Sequence, residues 1–184
     1  MREKIIEATI AEFAQNGLKF TMSDLAKRLG ISKKTIYTVF ESKQAVLVAV
    51  ADCYAADLKS MQVELEADTS LDVVQKLEKL LLALPEKYYD IGLSRIYELA
   101  EKYPKPYRHL MKEANHGWEL AEKYLQKGME EGLIRTVSIP VFMAMVKGTV
   151  RCFMETSVLY ENDLTYEQAK KEMVEILMKG IISR

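Results

Sequence analysis

The chain has 184 residues, of which 49% are hydrophobic and 29% charged, with four Pro, eight Gly and a net charge of −1. Such a chain can bury one substantial core or two smaller ones, and its few Pro, Gly and β-branched alternations favour an all-α fold. A net charge near zero argues against a protein that coats nucleic acid indiscriminately.

The charge is distributed unevenly along the chain. Residues 1–50 hold eight Lys and Arg against five Asp and Glu, a net charge of +3, so the remainder carries −4. A basic N-terminal segment is expected where one end of a protein meets phosphate, although a chance fluctuation over a solvated surface would look the same.

The first helix is predicted over residues 2–15 and is followed by Asn16-Gly17, a typical helix end. The second is predicted to begin after Thr21, which can form an N-cap together with Asp24. Gly30 suits its C-terminal end, where positive φ is needed. The apolar residues of this second helix fall on one stripe: Met22, Leu25, Ala26 and Leu29.

A third helix is predicted from Lys33, with Ser32 as its N-cap. Its inward residues are predicted to be Ile36, Val39 and Phe40. Its outward face is short, polar and basic, and it carries Lys33, Lys34, Tyr37 and Thr38, with Thr35 at the margin. Two short helices joined at a Gly turn, the second with such a face, predict a helix-turn-helix that enters the DNA major groove.

Residues 30–43, GISKKTIYTVFESK, resemble the DNA-binding signature of TetR-family transcriptional regulators. The likeness includes the aromatic pair Tyr37 and Phe40 and the Ser-Lys that follows, and it is detailed over about the first 50 residues. It departs at Lys34, where the family commonly has Gly, and at Thr38 and Val39, where an aromatic residue and His are common, so base preference stays open.

The resemblance implies a division of DNA contacts. Lys33, Lys34, Thr35 and Thr38 are expected nearest the groove floor, and Thr21, Tyr37 and Lys43 on the DNA backbone. The predicted DNA-binding set is Thr21, Ser32, Lys33, Lys34, Thr35, Tyr37, Thr38 and Lys43.

A long helix is predicted over residues 43–67, as a rod of about 37 Å that joins the head to the rest of the chain. The predicted domains are a DNA-binding domain over residues 1–45 and a ligand-binding and dimerisation domain over residues 46–184. Five further helices are predicted, for about nine in all: near residues 71–84, 91–103, 106–131, 138–159 and 166–182.

The last two of these helices are apolar over more than one face, and Gly148 and Gly180 would allow a close approach. One face can serve the core of the protomer, and a second then needs a partner. The family resemblance implies a homodimer through these helices, and burial on both sides within one chain is the alternative. The predicted interface residues are Val146, Val150, Phe153, Met173, Leu177, Gly180 and Ile181.

The C-terminal domain is expected to bind a small molecule that changes the spacing of the two heads. The candidate pocket residues are bulky and on inward stripes, although such residues are more often plain core than pocket: Tyr54, Met61, Tyr97, Met111, Trp118 and Phe153. Arg95 or Asn115 could meet a polar ligand group, with ordinary hydrogen bonding an equal explanation. His109 and His116 are seven residues apart, but further metal ligands are not evident, so no metal site and no cofactor are predicted.

The favoured function is a dimeric, ligand-responsive repressor that binds a palindromic or near-palindromic operator. Two alternatives stay open: a helical module whose head binds protein, and an enzyme, for which no nucleophile, phosphate loop or metal motif is apparent. Cys53 and Cys152 form no C-x-x-C pattern, so a reducing cytoplasm is expected. The charged N-terminus does not resemble a signal peptide, and no apolar run approaches the ~20 residues that cross a membrane.

Overall fold

The computed structural model describes residues 1–115 and 118–183, and these are mainly helical. Within these two ranges, β pairing is limited to an isolated antiparallel bridge between Ile134 and Ile182. The predicted all-α fold is therefore confirmed. The α-helices are α1 Arg2–Asn16, α2 Met22–Leu29, α3 Lys33–Tyr37, α4 Lys43–Ala67, α5 Val73–Leu82, α6 Leu93–Lys102, α7 Pro104–Asn115, α8 Trp118–Glu130, α9 Ile139–Glu155, α10 Val158–Glu161 and α11 Tyr166–Ile181.

Two of the nine predicted helical segments each correspond to two helices. The segment predicted over residues 106–131 corresponds to α7 and α8, on either side of residues 116 and 117. The segment predicted over residues 138–159 corresponds to α9 and α10, because Thr156 adopts an extended conformation and its hydroxyl donates to the Cys152 carbonyl. Apolar periodicity continues across this interruption, so it does not reveal the break.

The chain forms two compact units, and the first comprises Met1–Asp57 and Leu84–Asn115. In its N-terminal part α1 packs against α2, and α2 packs against α3. Ile5, Leu25, Ile36 and Val46 are completely buried there, one from each of the first four helices. These contacts form the three-helix head and the first turns of α4.

The second unit comprises Leu58–Ala83 and His116–Arg184, of which residues 58–83 and 118–183 are described. Its core lies among α5, α8, α9 and α11, around Leu77, Leu125, Val146 and Val174. Lys170 is also buried in this unit, where its ammonium donates to the Ala83 carbonyl at 2.8 Å and burial lowers its pKa to about 8.

The predicted domain division after residue 45 stays a prediction. Helix α4 is continuous through that position and contributes residues to both units. Among the helices in the described ranges, none is long and apolar enough to cross a membrane.

Candidate nucleic-acid interface

A reciprocal capping box fixes the start of α2. The Thr21 hydroxyl oxygen accepts the Asp24 N–H at 3.2 Å, and Asp24 Oδ2 accepts the Thr21 N–H at 2.7 Å and its hydroxyl at 2.8 Å. Donation by the Thr21 hydroxyl and backbone N–H lowers the pKa of Asp24. The predicted cap is confirmed, and it leaves Thr21 exposed at the helix end that attracts anions.

The turn between α2 and α3 depends on Gly30 and Ser32. Gly30 has φ 65° and ψ 31°, a left-handed conformation in which its N–H bonds to carbonyls of the last turn of α2. Ser32 Oγ accepts the Thr35 N–H at 3.0 Å and therefore caps α3. Both roles were predicted, because each depends on residues only a few positions apart in the sequence.

Helix α3 presents a polar and basic face that is anchored from beneath. Ile36 is fully buried under it, while Lys33, Lys34, Tyr37 and Thr38 are exposed. The Lys33 ammonium lies 5.8 Å from the centre of the Tyr37 ring, a cation–π distance. The Lys34 side chain forms no ion pair or hydrogen bond with the residues that the structure describes.

The hydroxyls of Ser32, Thr35 and Thr38 are already used within α3. Ser32 Oγ and Thr35 Oγ1 lie 2.8 Å apart, and Thr38 Oγ1 donates to the Thr35 carbonyl at 2.7 Å. Each oxygen retains acceptor capacity, so these groups can also accept hydrogen bonds from base edges. The structure thus brings six of the eight predicted DNA-binding residues onto one helix and its cap.

In contrast to the residues of α3, Lys43 forms hydrogen bonds to backbone carbonyls of the segment that follows α1. Its ammonium donates to the Leu18 carbonyl at 2.7 Å and to the Phe20 carbonyl, and it lies 3.9 Å from the centre of the Phe20 ring. Burial lowers the pKa of Lys43. The side chain therefore binds α4 to the segment that follows α1, and its predicted contact with the DNA backbone stays a prediction.

An ion pair joins α1 to α2. Arg28 Nε donates to Glu12 Oε1 at 2.7 Å, and Asn16 Nδ2 donates to Glu12 Oε2 at 2.6 Å. The hydrogen bond from Arg28 lowers the pKa of Glu12, although its burial acts in the opposite direction. This pair fixes the helix that supports α3, and it was absent from the predictions.

Helix α6 holds the end of α1 through two side chains. Arg95 donates to the Phe13 carbonyl at 2.9 Å and to the Gln15 carbonyl at 3.2 Å. Glu98 Oε2 accepts the Leu18 N–H at 3.2 Å. Arg95 thus caps the negative end of α1, as an Arg at a helix C-terminus is expected to do. These contacts join residues about 80 positions apart, and local sequence patterns did not predict them.

Residues 5–50 match the family model of bacterial regulatory proteins, tetR family. This range contains both helices of the helix-turn-helix and the start of α4. These residues form a DNA-binding domain of the TetR family. The chain is a DNA-binding transcriptional regulator.

Full-length relatives agree with this assignment. The chain is 25% identical over 181 residues to the uncharacterized HTH-type transcriptional regulator YvaF of Bacillus subtilis (strain 168), with 98% of this chain and 95% of YvaF covered. Two solved structures share its fold. One is the transcriptional regulator FadR from Bacillus subtilis in complex with stearoyl-CoA, with TM-score 0.69, 18% identity and coverage of 98% and 100% of the two chains. The other, a protein from Saccharomonospora viridis in complex with choline, has TM-score 0.73, 16% identity and coverage of 100% and 98%.

The candidate pocket residues are divided between the two units. Tyr54, Tyr97 and Met111 belong to the first, and Met61, Trp118 and Phe153 to the second. The Tyr54 ring packs edge-on against Tyr88 at 5.0 Å, and burial raises the pKa of Tyr54 to about 12. Trp118 and Phe153 pack against the core of the second unit. Their role in ligand binding stays a prediction.

The predicted interface residues mostly face the interior of their own unit. Val146, Met173 and Ile181 are buried in its core, and Val150, Phe153 and Leu177 pack against that core. Only Gly180 of this set is exposed. The large apolar side chains that are exposed on the same two helices are Val141, Met145 and Ile176, at 58%, 51% and 70% exposure.

No group of three or more potential metal ligands occurs among the described residues. His109 Nε2 lies 2.6 Å from Asp52 Oδ1, which gives this histidine a carboxylate partner. His116 lies outside the described residues.

Proposed function

We propose that this TetR-family protein is a homodimeric repressor whose affinity for a palindromic or near-palindromic operator is changed by a small molecule. The observation that carries the proposal is the outward face of α3, where two exposed Lys residues and an exposed Tyr stand above a fully buried Ile36. A polar, basic helix face on a rigid support is what reading a major groove requires.

Within that face we assign two kinds of contact. Lys33, Lys34, Thr35 and Thr38 would contact base edges, with Lys34 the freest to do so because its ammonium forms no ion pair in the described part of the chain. Ser32, Thr21 and Tyr37 would bind phosphates and thereby fix the register of the head. Lys43 would add positive potential while its hydrogen bonds hold α4 in place.

We propose that the dimer forms through an exposed apolar face of α9 and α11. We call this the α9/α11 face and define it by Val141, Met145, Gly148, Ile176 and Gly180. Three large apolar side chains exposed by more than half are costly to leave in water, and the two Gly residues permit close helix approach. A two-fold axis through such a face would place two heads on two half-sites, hence the symmetric operator.

The effector response would depend on α6. Arg95 and Glu98 bond α6 to the end of α1, so a ligand that shifts α6 would also shift the head. Stearoyl-CoA and choline, bound by two proteins of the same fold, differ so widely that the fold does not dictate one ligand chemistry. A small organic molecule is therefore the class that we propose here.

Catalysis by the helical body and a purely protein-binding head are the competing functions. The family and its relatives are transcriptional regulators, which favours a protein that is not an enzyme. We accordingly place the protein in the cytoplasm, where its DNA partner would be.

The test begins with selection of bound sequences from a random double-stranded DNA library. Affinity for the selected operator is then measured by fluorescence anisotropy over a range of salt concentrations. A steep linear fall of log K with log salt is expected, with a slope near −0.9 per phosphate contacted. Failure to bind any DNA at low salt would favour the protein-binding module.

The double variant Lys34→Ala, Tyr37→Ala tests the reading face. Loss of two contacts from each head is expected to weaken operator binding about a hundredfold, while helicity and dimer mass are retained. Lys59→Ala is the matched control, because it removes an exposed Lys from α4 outside that face. Operator affinity equal to that of the unaltered protein would contradict the proposed contacts.

A further inference from the structure

Arg2, at the start of α1, lies beside the end of α3, although the predicted DNA-binding set does not include it. Its guanidinium carbon is 5.4 Å from the centre of the Phe40 ring, a cation–π distance. Phe40 follows α3 and is fixed to it, because its backbone N–H donates to the Ile36 carbonyl at 2.9 Å. The contact therefore places a positive charge at the C-terminal end of α3.

The register of α1 directs Arg2 toward that end of α3. Arg2 is four positions before Ile6 and seven before Thr9, and both of these residues are buried. All three therefore share the stripe of α1 that faces the interior of the head. Lys4 lies about 200° from Arg2 around the helix and belongs to a different face. Arg2 is thus the cation of the first turn that reaches the end of α3.

The guanidinium of Arg2 is available to an anion. Arg2 is exposed whereas Phe40 is buried, so the charge lies on the solvent side of the ring. Within the described part of the chain Arg2 forms no ion pair and donates no hydrogen bond, although Glu3 adjoins it and Glu41 adjoins Phe40 in the sequence. Its five N–H donors are therefore unused, and the aromatic contact restricts the side chain before any ligand arrives.

We propose that Arg2 binds a phosphate of the DNA backbone beside the major groove that α3 enters. A planar guanidinium can donate two parallel N–H bonds to the oxygens of one phosphate. Such a contact carries no base information, so it would raise affinity for any sequence and help to fix the register of α3. The inference rests on the proposed entry of α3 into the groove, and it adds a contact from α1, to which the proposed function gives none.

Three variants separate the charge of Arg2 from its packing against Phe40. Arg2→Met keeps an apolar stem over the ring and removes the charge, whereas Arg2→Lys keeps the charge and removes the planar fork. Lys4→Met is the matched control, because it removes a cation of the same helical turn from a different face of α1. Circular dichroism during thermal unfolding verifies that each variant is folded.

Fluorescence anisotropy then gives the affinity of each protein for the selected operator and for a non-operator duplex of equal length, over a range of salt concentrations. Arg2→Met is expected to weaken binding about threefold for each bound head, and to make the plot of log K against log salt less steep by about 0.9 per head. Both effects should appear on both duplexes. Arg2→Lys should retain the slope, and Lys4→Met should retain slope and affinity.

Operators with single neutral methylphosphonate groups locate the contact. One position should weaken binding of the unaltered protein and leave that of Arg2→Met unchanged. Affinity of Arg2→Met equal to that of the unaltered protein would overturn the phosphate contact, and so would a loss of affinity at an unchanged salt slope, which would show a purely structural role over Phe40. Equal affinity of the unaltered protein for the two duplexes would instead count against base reading by α3, while the effect of Arg2 would still be measured on both.

Discussion

The ion pair between Glu12 and Arg28 offers a sharp test of how the head is held together. The Glu12 side chain is 9% exposed and that of Arg28 is 32% exposed. Replacing either residue therefore leaves its partner in a different environment. Arg28→Met leaves a buried carboxylate that has lost its cation. Glu12→Gln leaves a guanidinium that can turn toward water, and a neutral amide that can still accept from Asn16.

The expected costs follow from this asymmetry. Arg28→Met should lower the free energy of unfolding by about 2–3 kcal/mol at pH 7, because it strands a buried charge. Glu12→Gln should cost about 1 kcal/mol, the usual value of one hydrogen-bonded partner. Arg28→Met is thus expected to be the more damaging change although Arg28 is the more exposed residue.

The pH dependence should differ in sign between the two proteins. In the unaltered protein Arg28 lowers the pKa of Glu12, so the stabilisation is present above the ordinary carboxyl pKa and is lost as pH falls through the lowered value. In Arg28→Met the burial of Glu12, which raises its pKa, outweighs the remaining hydrogen bond from Asn16, which lowers it. That variant should therefore recover stability relative to Glu12→Gln as the solution is acidified.

Urea unfolding followed by circular dichroism at pH 7.5 and pH 5 would measure these differences. The m-values of the proteins should agree, since the same surface is exposed on unfolding. Equal costs for the two variants at pH 7.5, or a gap that widens toward pH 5, would refute the reasoning.

Lys170, Ile176 and Arg95 provide three further predictions. Because burial lowers the pKa of Lys170 to about 8, the folded protein binds fewer protons than the unfolded chain between pH 8 and 10.5. The free energy of unfolding, measured with urea, should therefore rise over that range by up to roughly 3 kcal/mol relative to Lys170→Met. Ile176→Glu should give folded monomers in sedimentation equilibrium, with Tyr160→Glu, 84% exposed on α10, remaining dimeric; a dimeric Ile176→Glu would exclude the α9/α11 face. Arg95→Leu should raise amide hydrogen exchange over residues 14–20 and leave α11 unchanged, whereas unaltered exchange would show that α6 does not hold α1.

The helix-turn-helix could be predicted in detail because its signals are local. A cap such as that of Thr21 and Asp24, or a left-handed Gly30, depends on residues three or four positions apart, and these distances are fixed once a helix forms. The outward face of α3 followed from the same periodicity, because Ile36 defines the buried side. The sequence by itself thus determined the two helices of the helix-turn-helix, their caps and the side of α3 that can meet DNA.

Tertiary structure decided which face of a helix is internal when most of its circumference is apolar. Val146 is fully buried while Met145, its neighbour in α9, is half exposed, and nothing in their chemistry distinguishes them. Likewise, the Lys43 ammonium donates to the Leu18 carbonyl, and Arg95 caps α1, which lies about 80 residues earlier in the sequence. Such choices depend on which distant groups the folded chain brings within about 3 Å, a distance that local periodicity does not encode.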